Sequence, residues 1–452
     1  MRTTWLLIVI AGACGGKDDD GGGGDGDPAG ACAVSDDEAC PAGQVCEPVE
    51  GGEPACFAPL TVEGQVRDAA TDDGIEGARI VARNVNGAAR SRVAVSDVDG
   101  TYSLVVSSLR DAEGRPIGEP FTLRADAAGY QSFPTAPRTA LPIEPDSADD
   151  DGVLVSAATD ITLLSLPSTA GLGAIAGQVD ADDPGGALVV AGGATAIADL
   201  DGSFVVFGVP AGNTEVRGYL AGVNLAPATA DVSEGETTDG IVLAGRGAAD
   251  AVVSGDVQIV NAPGGASTQV ILVVEDTFDP VSLRGETPGG LRAGNVDGAW
   301  QIEGVPDGRY AVLAAFENDD LVRDPDTSIG GTDIVTIEVA GADTAVEGFK
   351  VTEALEVFSP GADGIEAVSA PVTLSWADDS SEDGYDVEVL DAFGEVVWQA
   401  TDVEGPNGNR PVEVAYDGPL EPGMIYQFHA TSMKDGVPLS TTEDLRGVFQ
   451  AQ

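Results

Sequence analysis

The chain has 452 residues, with 76 Asp and Glu against 21 Lys and Arg, for a formal net charge of −55. That length allows three to five domains of ordinary size. So acidic a surface repels phosphate backbones and anionic headgroups, which excludes nucleic acid as a partner and excludes membrane attachment through a basic patch. The 61 glycines, the 27 prolines and the short alternating runs of Val, Ile, Thr, Tyr and Phe come without long helical periodicity. They predict an all-β fold, a tandem array of small β-sandwiches after a signal peptide, a flexible linker and a small disulfide module.

The chain opens with Arg2, an apolar run from Trp5 to Ile10, the small residues Ala11-Gly12-Ala13, and then Cys14. This is a signal peptide pattern over 1–13 with a cysteine where the cut falls. The apolar run is about half the roughly 20 residues that a membrane-spanning helix needs. Residues 14–30 are a Gly/Asp-rich tether, which solvates and cannot bury a core. The motif resembles the lipobox of bacterial lipoproteins, with Ala11 where that family most often has Leu. The resemblance implies a diacylglycerol thioether on Cys14 and cleavage just before it. It also implies an exported chain held by its lipid at the outer membrane or cell surface.

Residues 31–58 hold the other four cysteines, Cys32, Cys40, Cys46 and Cys56. An even cluster in an exported chain predicts two disulfides, and the spacing leaves three pairings open. The absence of a Cys-x-x-Cys pair argues against a metal site. So short a segment cannot build a core and relies on its cross-links. The run Cys40 to Cys46 is similar to the small cysteine-rich modules of lipoproteins from predatory and fruiting soil bacteria. That similarity implies Cys32–Cys46 with Cys40–Cys56.

An internal repeat follows. Asp97-Val98-Asp99-Gly100-Thr101-Tyr102 recurs as Asp199-Leu200-Asp201-Gly202-Ser203-Phe204 and, degraded, as Asn295-Val296-Asp297-Gly298-Ala299-Trp300. Each copy reads as a hairpin turn, with acidic side chains bonding their own backbone and Gly in the left-handed position. Upstream of each turn lies a Gly-bearing strand, around Gly64, Gly177 and Gly255. Val209-Pro210-Ala211-Gly212 and Val305-Pro306-Asp307-Gly308 follow the second and third turns, whereas the first copy has an insertion from Arg110 to Pro120. The third copy carries a longer insertion, around Phe278 to Arg292.

These motifs resemble the carboxypeptidase regulatory-like domain, in three copies over 59–166, 167–246 and 247–352. The resemblance implies a transthyretin-like sandwich, a fold shared with carbohydrate-binding modules, and no catalytic residues. A plain turn is preferred over a calcium loop, because in the first copy the twelfth position from Asp97 is Ser108, not the Glu that an EF-hand requires. Phe204 and Trp300 are expected in the core. Tyr130, Phe133 and Tyr219, near strand ends, are the candidates for an exposed sugar-binding platform.

Residues 353–452 differ in kind. Leu374-Ser375-Trp376, Tyr385-Asp386-Val387-Glu388-Val389 and Leu420-Glu421-Pro422-Gly423-Met424-Ile425-Tyr426 read as strands and a turn of one further sandwich. They resemble a fibronectin type III-like domain, in which Tyr426 would be the corner tyrosine. The single histidine, His429, sits in an alternating run and reads as a strand residue. With one histidine the sequence offers no catalytic constellation, and no cofactor or metal is expected. The expected function is that of a lipid-anchored binding or adhesion-type envelope protein, with a carbohydrate or an envelope protein as partner. The alternative is a structural spacer or assembly subunit.

Overall fold

The computed structural model describes residues 32, 40–84, 87–135, 138, 140, 142–260, 268–279, 285–296, 298–316, 334–352, 355–362, 364–379, 382–392, 395–406, 410–442 and 446–452. The expected signal peptide, Cys14 and the expected tether lie outside the described residues. The fold is all-β, with short 3-10 turns at Pro145–Ser147 and Glu275–Thr277.

The same two-sheet arrangement occurs three times. In each copy a long Gly-bearing strand pairs antiparallel with the strand that leaves the Asp-x-Asp-Gly turn. Leu60–Asp68 pairs with Thr101–Val106, Leu172–Asp180 with Ser203–Pro210, and Ala251–Val260 with Ala299–Val305. On its other side the long strand pairs parallel with a late strand: Ile161–Leu163, Thr237–Ala248 or Phe349–Thr352. The facing sheet is built on Arg79–Asn84 with Phe121–Asp126, on Leu188–Ala191 with Gly212–Tyr219, and on Thr268–Val274 with Gly308–Phe316.

Two repeated sequence features are one structural feature. The register sets Gly64 opposite Tyr102, Gly177 opposite Phe204, and Gly255 opposite Trp300. A Cβ at Gly177 would lie 2.6 Å from the Phe204 ring, and one at Gly255 would lie 2.8 Å from the Trp300 ring. The glycine leaves the room into which the ring after the turn folds. All three rings are core residues, at 5 % exposure or less. Tyr102 also donates its hydroxyl to the Thr159 carbonyl at 2.6 Å, so its one polar atom is paired inside the core.

The last sandwich is organised differently. One sheet joins Val357–Ser359, Val372–Trp376 and Val412–Tyr416. The other contains Gly384–Asp391, Val396–Val403, Ile425–Lys434 and Val448–Ala451. Its core is aromatic. Trp376 meets Tyr385 edge-on at 5.5 Å, and Phe428 lies 6.1 Å from it. The Tyr426 hydroxyl accepts the Glu421 N–H at 2.9 Å, tying the strand back to its incoming turn.

At the N-terminal end Cys32 is bonded to Cys46, and Cys40 to Cys56, which is the pairing implied by the resemblance to cysteine-rich modules. The Sγ atoms of Cys32, Cys40 and Cys56 lie within 4.8 Å of one another, and each is engaged in a disulfide. The insertion at Arg110 is the platform on which this segment sits. It forms a small hairpin of Leu109–Arg110 with Pro116–Ile117. Arg110 donates to the Glu47 carboxylate at 2.5 Å and to the Ala58 carbonyl at 2.8 Å, and its guanidinium lies 5.1 Å from the Phe57 ring centre. Both side chains of the pair are 4 % exposed.

Candidate functional site at the junction of three modules

The feature of the molecule that sequence reading missed is a buried charge cluster where the first three sandwiches meet. Strand Phe121–Asp126 of the first module places Arg124 and Asp126 on its outward face. Arg124 donates from Nε to Asp126 Oδ2 at 2.8 Å and from Nη2 to Asp126 Oδ1 at 3.0 Å. Its Nη2 also reaches Thr195 Oγ1 of the second module at 2.9 Å. Its Nη1 donates to Glu286 of the third module. Arg83, from the neighbouring strand Arg79–Asn84, stands 3.6 Å from the same carboxylate.

Arg124 is 1 % exposed. Two carboxylates and hydrogen bonds from each side hold it firmly charged despite its burial. Burial by itself pushes the Glu286 carboxyl up, but the Arg124 and Arg83 guanidiniums outweigh it and hold that carboxyl below its ordinary value. Two cations and two anions compensate one another, which is the condition for burying charge at all. The backbone fixes Glu286 as well: its N–H donates to Thr277 Oγ1 at 2.9 Å, and its carbonyl accepts the Val274 N–H at 2.9 Å.

Apolar contacts surround the cluster. Strand Leu188–Ala191 is buried on both faces. Val189 and Ala191 fill the second module's own core, whereas Leu188 and Val190 join Val81 of the first module and Leu291 and Tyr310 of the third in one continuous core. The unbroken apolar run Leu188-Val189-Val190-Ala191 is the sequence signal of such two-faced burial. Tyr219 packs edge-to-face on Tyr310 with ring centres 5.9 Å apart. Gly222 N–H donates to the Gly304 carbonyl at 2.8 Å, and Arg246 pairs with Asp307 at 2.6 Å. The third module's remaining outward face, with Ile271, Val273, Ala311 and Leu313, is covered by Phe278 and Ile334. Phe278 belongs to the insertion noted in the sequence, so part of that insertion is a lid over a sheet face.

Asp97 Oδ1 accepts the N–H groups of Asp99 and Thr101 at 3.0 and 2.9 Å, and its Oδ2 accepts the Thr101 hydroxyl at 2.7 Å. The carboxylate is engaged in its own turn. Asp199 Oδ1 accepts the Leu200 N–H of its own turn at 2.7 Å and also the Val93 N–H of the first module at 2.9 Å. In the third copy Asp297 lies outside the described residues. Of the three platform candidates, Tyr219 is 3 % exposed and is no platform: a neighbouring module covers the ring that a lone sandwich would expose. Tyr130 and Phe133 are half-buried; the Tyr130 hydroxyl donates to Asp68 at 3.0 Å, and Arg138 stacks on the Phe133 ring at 5.4 Å. His429 is half-buried in the middle of strand Ile425–Lys434, opposite Glu388.

No family model and no curated protein matches the chain. Solved structures that resemble it include the TIE protein of Bacillus anthracis, at 10% identity over 84% of this chain and 68% of that one, with a TM-score of 0.15. A streptococcal ancillary pilin shares 12% identity over 64% of this chain and 98% of its own, with a TM-score of 0.18. A DUF3823 family protein from Bacteroides uniformis shares 13% identity over 45% of this chain and 100% of its own, with a TM-score of 0.19. Likenesses at this level leave the fold to rest on the strands and cores described above.

Proposed function

We propose that this chain is an exported, lipid-anchored, non-catalytic envelope protein that works as a rigid scaffold for binding or adhesion. In this reading Cys14 carries the lipid and residues 14–30 are the tether. The disulfide module is a stiff collar, the next three sandwiches are carboxypeptidase regulatory-like domains, and the last is fibronectin type III-like. The observation that carries the proposal is the three-module junction. A buried, charge-balanced cluster inside a shared core fixes orientation, which a string of independent binding modules would not need. Both the apolar contacts and the buried pairs lose more when separated than an exposed linker would.

The partner in this reading is another envelope protein; a carbohydrate is the second reading. The test uses the full chain and its Cys14→Ser variant. The parent should partition into detergent and the variant into the aqueous phase. The Cys14→Ser chain should scatter X-rays as one compact body whose radius of gyration does not change with salt. An aqueous parent would refute the anchor, and a salt-dependent, extended envelope would refute the scaffold. Saturable retardation by envelope polysaccharides in native gels would favour the carbohydrate reading.

A further inference from the structure

The second module's Asp-x-Asp-Gly turn is a docking tip, and the molecule shows it in use. Asp199 accepts the Val93 N–H, and Asp199 and Asp201 face Arg79 and Arg92 of the first module. Gly186, at the same end of the second module, lies against Ala89, where an added Cβ would stand 3.1 Å from the Ala89 Cβ. The seat is therefore a margin that offers arginines, the Val93 N–H and small apolar groups.

The first module carries the same turn sequence, in which the Asp97 carboxylate is engaged by its own turn and Asp99, the counterpart of Asp201, is exposed. Val98, the counterpart of Leu200, is 69 % exposed against 44 % for Leu200. Among the described residues, four of the eight exposed large hydrophobics belong to this module: Val95, Val98, Val105 and Val155. Val95 and Val155 line a groove of about 610 Å³ that runs from Asp97 past Thr101 and Ser103 to Glu63. An acidic turn beside exposed valines has the character of an interface, because a monomer's solvated face has no use for clustered apolar side chains.

We infer that the Asp97–Gly100 tip and its valine-lined groove form a docking surface for another protein's β-sandwich, seated on a sheet margin that presents arginine beside aliphatic side chains. The complement is the arginine-bearing margin that Asp201, the counterpart of Asp99, meets inside this molecule. A second copy of the chain is not the occupant, because the matching margin around Arg79 and Val93 is already covered by the second module. The inference deepens the scaffold reading and rests on it; the anchoring and scattering tests do not involve Val98, so the two can fail separately.

The experiment places the photoreactive residue p-benzoylphenylalanine at Val98 of the full chain in the cell that makes it. Val396 of the last sandwich, 39 % exposed, is the control position. Adducts are read at peptide level. Expected are Val98 adducts about tenfold above those at Val396, joined to sheet residues beside an arginine in another protein. Asp99→Arg should lower them about tenfold by setting like charges against each other, while the melting temperature stays unchanged. Asp99→Asn, which removes the charge without reversing it, should give a smaller loss. Adducts no stronger than at Val396, adducts to a second copy, or adducts indifferent to Asp99→Arg in a folded chain would each overturn the inference.

Discussion

The first three sandwiches and the last one solve the same problem in different ways. A small sandwich must bury enough apolar surface to offset the ordering of its chain. The last sandwich does so internally, with Trp376, Tyr385, Phe428, Tyr426 and Phe449 in one core. The first three place single rings behind their glycines and gain further burial from one another, through Val81, Leu188, Val190 and Tyr219. Aromatic payload and shared faces are alternative routes to the same end. The first route leaves a module independent, and the second ties its stability to its neighbours.

The strongest way to break this comparison is Glu286→Ala. It leaves Arg124 and Arg83 short of a carboxylate in a buried site, which costs about 3–5 kcal/mol. In calorimetry of the Cys14→Ser chain the transition of the first three modules should fall together, with the last sandwich unmoved. Trp376→Ala is the reciprocal change, removing about 3–5 kcal/mol from the last sandwich alone. Movement of both transitions in either variant would end the claim of separate cooperative units.

Acid sharpens the same point. The Glu286 carboxyl titrates below its ordinary value of 4.5 in the folded chain, so its contribution is full above that value. It is lost as the pH falls through the lower folded value. The first transition should drop below pH 4.5 in the parent and more shallowly in Glu286→Gln, which has no carboxyl to protonate. Thr195→Val removes the hydroxyl that accepts from Arg124 and donates to Glu286, at nearly constant volume, for about 1.5–3 kcal/mol on the first transition. The smallest effect is expected for Lys434→Ala. Its pair with Asp383 is 44 % and 55 % exposed, and solvent screening makes exposed pairs the weakest of these interactions. A larger loss there would mean that burial is the wrong criterion for ranking these pairs.

The sequence by itself determined the local features. Alternation marked the strands, the Asp-x-Asp-Gly repeats marked the turns, and the aromatic after each turn was legible as core because a ring on an inward strand position has nowhere else to go. Four cysteines in so short a segment required cross-links. The sequence did not disclose that each repeated glycine faces the repeated ring, because that pairing depends on register between distant strands. Nor did it disclose the junction. Arg124 and Asp126 carry no signal of a partner in the sequence, Glu286 sits in an unassigned insertion, and Tyr219 read as a candidate exposed ring near a strand end. Only the tertiary structure decided their roles. Burial of an outward face depends on which module lies against it, and that is set by shape and charge complementarity between surfaces more than a hundred residues apart in the chain.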